Sequence, residues 1–451
     1  MPLVHPIEFR YFTKIKDVFT EESKLQKWLD VEAALARVHA EVGNIPKEAA
    51  DEISKKANIN VVKLQRVKEI EAQIHHDLMA MVRALTEVCS EEARKYIHLG
   101  ATSYDIEDTA MALQFKDAIV ILQNSLKELL STLIKLASEH KNTITVGRTH
   151  GQHALPTTYG MKFAIWASEL YRHLVRLSEI KPRILVGKMS GAVGTMASFG
   201  EIGIKIQELV MKDLGLKPVL IANQIVQRDR HAEILTYLGL VAGTLDKIAR
   251  EIRNLSRTEI AEVSEYFGKH QVGSSTMPHK KNPHKSERIC GIARVIKSNV
   301  FVALENITLE HERDLTNSSP ERVIIPESFI LLDYIINQLN SILSNLVFNF
   351  DNIEKNLNLT QGLIMTENIM IQLVKKGLGR QDAHEILRKC ALKSYSEKRP
   401  LKEILLNDES LKPYLSEQEL DSWLDPKNYL GTAVLQVENV VSFINKNLNS
   451  L

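Results

Sequence analysis

Between Gly273 and Glu287 the chain reads GSSTMPHKKNPHKSE, fifteen positions that hold two adjacent serines, three lysines, two histidines, an asparagine and two prolines. Pro278 and Pro283 each lack an amide hydrogen and fix φ, so no regular helix runs from Met277 to Pro283, and Lys280 and Asn282 are held in an irregular loop. With a glycine at its head, this loop has the character of a lid that closes over a substrate and offers it hydroxyl, ammonium and amide groups. The plainer alternative for Lys280, Lys281 and Lys285 is a solvated basic face. An acyl-enzyme SxxK arrangement does not fit, because Ser274 and Ser275 stand six and five residues before Lys280, and the SxxK at Ser178–Lys181 lacks companion SDN and KTG elements.

Three histidines stand in polar segments of a similar kind: His76 in IHHDLMA (74–80), His98 in HLGATSYDIEDTA (98–110) and His150 in GRTHGQHALPTT (147–158). An imidazole titrates near neutrality and is the usual proton-transfer group there. One such histidine is most often structural. Three of them, with a carboxylate such as Glu287 to orient one, point to acid–base catalysis. Metal binding is not indicated: His150 and His153 are three apart, but no HExxH or further ligand closes a site. Asp105, Asp108 and Thr109 read as structural, being residue types that satisfy backbone groups at helix ends. GAVGTMASFG does not fit GxGxxG and there is no Walker A sequence, so no cofactor is expected.

Long helices are needed to carry these segments. No proline falls between Pro46 and Pro156 or between Pro218 and Pro278. Apolar residues step by four and three through Phe115, Ile119, Leu122, Leu126, Leu129, Leu133 and Leu136, and again from Ile234 to Leu255. The same rhythm runs through 159–180, 289–307 and 325–346, which predicts five seamed helices of about 30 to 50 Å packed nearly parallel in a bundle. Leu130, Ile134, Leu235, Leu240 and Ile335 lie off the seams and predict helix–helix oligomerisation. Shorter helices flank the bundle on both sides, and no β-alternation dominates. The expected architecture is all-α in three domains, 1–102, 103–348 and 349–451.

The 451 residues carry a formal net charge of +1 with 25% charged side chains, so nothing global favours nucleic acid or an acidic membrane surface as partner. Cys89, Cys290 and Cys390 are too scattered for a disulfide framework, no apolar run reaches the ~20 residues of a membrane span, and the N-terminal segment does not read as a leader. A cytoplasmic protein is expected.

GSSTMPHKKNP resembles the signature of the fumarase/aspartase superfamily. Together with RTHGQHALPTT, HHD, GATS, QRDRH and HERDLTNSSPER, it is similar to the adenylosuccinate lyase family from FRYF near the N-terminus to about residue 346, and more loosely beyond. The resemblance implies a homotetramer with a 20-helix core, active sites shared among three subunits, and cleavage of adenylosuccinate to AMP and fumarate and of SAICAR to AICAR and fumarate. It further implies Ser274 as base, with Ser275 its rival, His150 as acid, His76 and Glu287 assisting His150, and Lys280 and Asn282 stabilising carboxylate charge. Thr102, Ser103 and Gln224 would hold the succinyl part. Arg10, Tyr11, Arg313, Ser318 and Arg322 would bind the nucleotide, with His75, Asp77 and His98 nearby; His75 departs from relatives that carry Arg. Argininosuccinate lyase, a carboxymuconate cycloisomerase and a non-catalytic helical scaffold are the competing readings.

Overall fold

The structure, a computed structural model, describes residues 5–268, 270 and 273–448. Residues 1–4, at the head of the N-terminal segment, and 449–451, at the end of the third expected domain, lie outside it. Helices form at all five seams: Ser103–Glu139, Tyr159–Ile184, Asp229–Leu255, His284–Glu305 and Ser318–Ser344. The first has 37 residues, about 55 Å at ~1.5 Å each. Its seam from Phe115 to Leu136 is buried throughout, as is that from Ile234 to Leu255. The fold is all-α, built on these five long helices.

Three expectations are corrected. Ile307 lies past the helix end at Glu305 and is exposed, so the fourth seam stops at Ala303. Off the seams, Leu130, Ile134, Leu235 and Ile335 are buried within the chain and only Leu240 is exposed, because a bundle helix has neighbours on more than one side. The fifth seam likewise stops at Leu343, since its helix ends at Ser344 and Leu346 lies beyond it; Pro326 lies inside this helix and Pro182 inside Tyr159–Ile184. An interior proline costs about 3 kcal/mol. Around Pro326 the flanking Ile325 and Phe329 are wholly buried, and each contributes about 1.5–3 kcal/mol, which offsets that cost.

The chain divides into two compact units. One comprises residues 1–127, 173–246 and 289–338, and the helices Glu21–Glu41, Lys47–Lys56, Leu64–Ile74 and Asp77–Val88 build a core there around Trp28, Leu35, Ile53, Leu78 and Met81. The other comprises residues 128–172, 247–288 and 339–451, with the C-terminal helices closing on Leu373, Leu387, Leu401 and Leu420.

In the second unit, GRTHGQHALPTT is a β-hairpin rather than a helix end. Strands β1 (Ile144–Thr149) and β2 (Gln152–Thr158) pair antiparallel, with Thr149 opposite Gln152, which leaves His150 and Gly151 as a two-residue turn. Both have positive φ, 53° and 74°. That combination matches the right-handed twist of a hairpin, and glycine at the second position makes it accessible.

Candidate active site

In the first unit a cavity of about 690 Å³ collects His75, His76, Asp77, Ser103, Gln224, Arg313, Ser318 and Arg322 from the expected set, and adds Glu71, Tyr104, Glu107 and Asp314. The HHD run reaches it through a helix–helix corner. His75 ends the helix Leu64–Ile74 in a left-handed conformation (φ 55°), and the next residue, His76, caps Asp77–Val88 by accepting the Met79 amide at 3.4 Å. Histidine tolerates that region better than most side chains, though at some cost in strain.

The cationic wall is held in place by its neighbours. Arg322 donates to Asp77 at 2.7 Å. Arg313 lies 3.5 Å over the Tyr104 ring, and donates to the Gln224 side-chain oxygen at 2.8 Å and the Asp314 carbonyl at 3.2 Å. Tyr104 in turn donates to the Ser318 hydroxyl at 3.2 Å. A planar guanidinium stacked on an aromatic face and oriented by two acceptors still has donors left over for an anion. Glu107 is pushed up to about 8, first by burial and then by the Asp77 charge.

Arg10, Tyr11, His98 and Thr102 are not among the cavity's lining residues. Arg10 is exposed and Tyr11 packs its ring 5.5 Å from Tyr334. His98 (φ 61°) contacts the buried Glu32 carboxylate at 2.6 Å. Burial lowers the His98 pKa, but the Glu32 charge and hydrogen bond outweigh it and leave the imidazole above its ordinary value. Thr102 gives its amide to Asp105 at 2.9 Å.

Asp105, Asp108 and Thr109 do the structural work expected of them, though by reaching across the fold rather than by capping alone. Asp105 pairs with the buried Lys188 and accepts the Ser190 and Gly191 amides at 2.8 and 3.0 Å. Thr109 bonds the Lys188 carbonyl at 3.0 Å. Asp108 takes Arg228 through both terminal nitrogens, at 2.7 and 2.9 Å, and Arg228 also donates to Glu321 at 2.9 Å. QRDRH and SSPER are therefore joined by a buried ion pair. Burial works against the Glu321 charge, but Arg228 and His231 hold the carboxyl down at about 2.

In the second unit, the hairpin that presents His150 rests on one buried carboxylate. Glu262 pairs with Arg148 and accepts from the Tyr159 hydroxyl at 2.6 Å, the Asn356 amide at 2.9 Å and the Thr145 hydroxyl at 3.2 Å. Burial raises its pKa, yet these donors bring it below the usual carboxylate value. His150 itself is exposed at the turn. His153 follows on β2 across from Arg148, so a sequence offset of three brings no helical ligand pair. Among the described residues no three His, Cys, Asp or Glu side chains are gathered so as to hold a metal ion.

The signature loop folds back on itself. Ser274 Oγ accepts the amides of Met277 at 3.0 Å and Thr276 at 3.3 Å. Asn282 donates to the Gly273 carbonyl at 3.2 Å, and the Lys280 carbonyl lies 2.1 Å from where a Gly273 Cβ would stand, so only glycine permits the closure. Glu265 accepts the Ser286 amide and hydroxyl, both at 2.7 Å, and anchors the following helix. Ser275, Lys280 and Glu287 are exposed. Neither the His150 ring nor the Glu287 carboxylate has a hydrogen-bond partner among the described residues, so the pairing of these two is not present within the chain.

The family model described as lyase matches residues 12–297, and that described as adenylosuccinate lyase C-terminus matches residues 362–440. The adenylosuccinate lyase of Pyrococcus abyssi is 58% identical over 442 residues, covering 98% of each chain. This chain belongs to the adenylosuccinate lyase family. The adenylosuccinate lyase of Methanocaldococcus jannaschii is 54% identical, with 97% of this chain and 95% of that one covered. Among solved structures, a fumarate lyase from Mesorhizobium sp. BNC1 is similar at a TM-score of 0.89 and 34% identity, covering 98% of this chain and 100% of that one. The 3-carboxy-cis,cis-muconate lactonizing enzyme from Pseudomonas putida has the same TM-score at 35% identity, covering 98% and 99%. The fold is thus shared with a muconate lactonizing enzyme, while the higher identities fall to adenylosuccinate lyases.

Residue-type reasoning passed over Tyr104, Glu107, Arg228, Glu262 and Glu321. For two of them a signal existed: Ser103 and Glu107 are one helical turn apart and so share a face, and Tyr104 adjoins Ser103. Nothing local marks Glu262, whose partners come from three distant stretches of the chain.

Proposed function

We infer that this chain cleaves adenylosuccinate to AMP and fumarate, and SAICAR to AICAR and fumarate, in purine nucleotide synthesis. The observation that carries the reading is the near-full-length identity to adenylosuccinate lyases, with the signature loop intact from Gly273 to Pro283. The reaction is a β-elimination. A base takes the proton from the carbon beside a succinyl carboxylate, the electron pair of that C–H bond forms the new double bond, the C–N bond breaks, and an acid protonates the departing nitrogen.

Ser274 serves as the base and His150 as the acid, with His76 and Glu287 acting on His150. The two amides aimed at Ser274 Oγ support this choice over Ser275, since hydrogen bonds to an oxygen favour its charged form. Lys280 and Asn282 stabilise charge on the carboxylates, and Thr102, Ser103 and Gln224 hold the succinyl portion. Arg10, Tyr11, Arg313, Ser318 and Arg322 bind the nucleotide, with His75, Asp77 and His98 shaping the pocket. No cofactor takes part. Purified protein mixed with adenylosuccinate is expected to give the ultraviolet change that accompanies AMP formation; no change, with turnover of argininosuccinate instead, refutes the assignment.

We also propose the three-part organisation 1–102, 103–348 and 349–451, a cytoplasmic location, which three cysteines outside any disulfide favour, and a homotetramer around a 20-helix core. Exposed apolar residues on the long helices, Val120, Ile165, Leu240, Phe301 and Val323, support burial of these faces against further copies. Each site then takes residues from three subunits. Mixing an inactive His150→Ala preparation with an inactive Lys280→Ala one is expected to restore activity, because some mixed sites receive both intact residues. Activity that stays at the level of the separate variants refutes shared sites.

Among the described residues no helix is long and apolar enough to cross a membrane.

A further inference from the structure

The helix Ser103–Glu139 opens at the cavity of the first unit, and both Ser103 and Glu107 line it. Glu107 has no part in the elimination described above. Its side chain is only 14% exposed, and among the described residues its one ion-pair neighbour, Arg322, stands at 4.0 Å while making its short contact to Asp77. Among the described residues the Glu107 carboxyl has no hydrogen-bond partner. A carboxylate kept in such a place is costly unless paired, whereas a carboxylic acid retains an O–H to give away.

The charged groups around Glu107 come from every side of the cavity. Asp77 and the His75–His76 pair lie at the helix–helix corner, Glu71 on the helix before it, Asp108 on Glu107's own helix, and Arg313, Asp314 and Arg322 on the segment 313–322, with Arg322 against Asp77. Burial raises the Glu107 pKa most, Asp77 and Asp108 raise it further, and Arg322 and Arg313 lower it less, leaving it at about 8. The cavity thus has two guanidinium groups for an anion and, in Glu107, a carboxyl that repels an anion when ionised and binds it when neutral.

We propose that Glu107 is a substrate-binding residue that meets the nucleotide as a neutral carboxylic acid and donates a hydrogen bond to one of its anionic oxygens, so that binding weakens in alkaline solution. This rests on the adenylosuccinate lyase reading. Glu107 is protonated below its raised pKa and ionised above it, so affinity is full on the acid side and falls as pH rises. Ligand binding draws a proton back onto the group. kcat, which reports the occupied site, changes less than kcat/KM.

The test is calorimetric binding of AMP, which presents a phosphate, and of fumarate, which presents only carboxylates, to the assembled wild-type protein and to Glu107→Gln and Glu107→Ala. Above pH about 8 the wild-type affinity for the ligand that Glu107 contacts is expected to fall about tenfold per pH unit, with proton uptake seen as a dependence of the binding heat on the buffer. Glu107→Gln keeps a donor and is expected to lose both the alkaline fall and the proton uptake. Glu107→Ala is expected to bind more weakly at every pH. A fall confined to AMP assigns the phosphate as acceptor, and one confined to fumarate assigns a carboxylate. Wild-type and Glu107→Gln profiles that coincide for both ligands overturn the proposal, as does binding without proton uptake. Failure to turn over adenylosuccinate is a separate result and strikes the reading beneath it.

Discussion

Ser274→Ala is expected to lower kcat by about 10²- to 10⁴-fold, the span general acid–base groups contribute, while Ser275→Ala stays within about tenfold of wild type. Serine is a poor base in water, so its use requires that the alkoxide be stabilised. Ser274 Oγ already accepts two backbone amides, from Thr276 and Met277, on a loop that also carries Lys280 and Asn282. Ser275 is exposed, and no hydrogen bond fixes its hydroxyl among the described residues. Removing Oγ at 274 takes away both the proton acceptor and the cap of the turn, so the comparison needs a second measurement. Sizing chromatography is expected to show unchanged assembly, and AMP binding to stay near wild type, since the cavity that carries Arg313 and Arg322 is lined from the first unit. Equal losses in the two serine variants, or a normal kcat in Ser274→Ala, would remove Ser274 from its role.

The parts of the molecule that could be read from sequence are those set by repetition or by covalent constraint. Alternating steps of four and three placed the five long helices because each such step returns to the same helical face, and tertiary packing buried those faces. Two prolines kept 277–283 out of a helix for a reason internal to the residues themselves. The hairpin at 144–158 was missed because it has a bulge between Val146 and Arg148, which breaks the alternation that would mark a strand, and because its turn places a histidine where glycine or asparagine is the usual signal. His150 is thus held by pairing and by the Glu262 cluster, neither of which has a local pattern. The same holds for the cavity wall. Arg313 could be named as an anion binder from its type, but the Tyr104 ring beneath it and the Gln224 oxygen beside it come from other stretches of chain.

Arg228→Met is expected to destabilise the protein by about 3–5 kcal/mol, the cost of leaving a buried ion pair half complete. Arg228, Asp108 and Glu321 are all almost fully buried, and the guanidinium is the cation shared by both carboxylates. Without it Asp108 keeps the Val226 amide at 2.7 Å, and Glu321 keeps Asn317 at 3.0 Å and His231 at 3.2 Å, which do not compensate two charges. The pH dependence separates lost charge pairing from lost packing. Glu321 is held at about 2 in the folded state against an ordinary value of 4.5, so its contribution is complete above the ordinary value and disappears as pH falls toward the lower one. The gap between wild type and variant, measured as unfolding free energy in denaturant, should therefore be widest above pH about 5 and narrow progressively in acid. A gap of the same size from neutral pH down to the acid limit would mean that Arg228 acts through the volume of its side chain, and the electrostatic account of how QRDRH and SSPER are joined would fail.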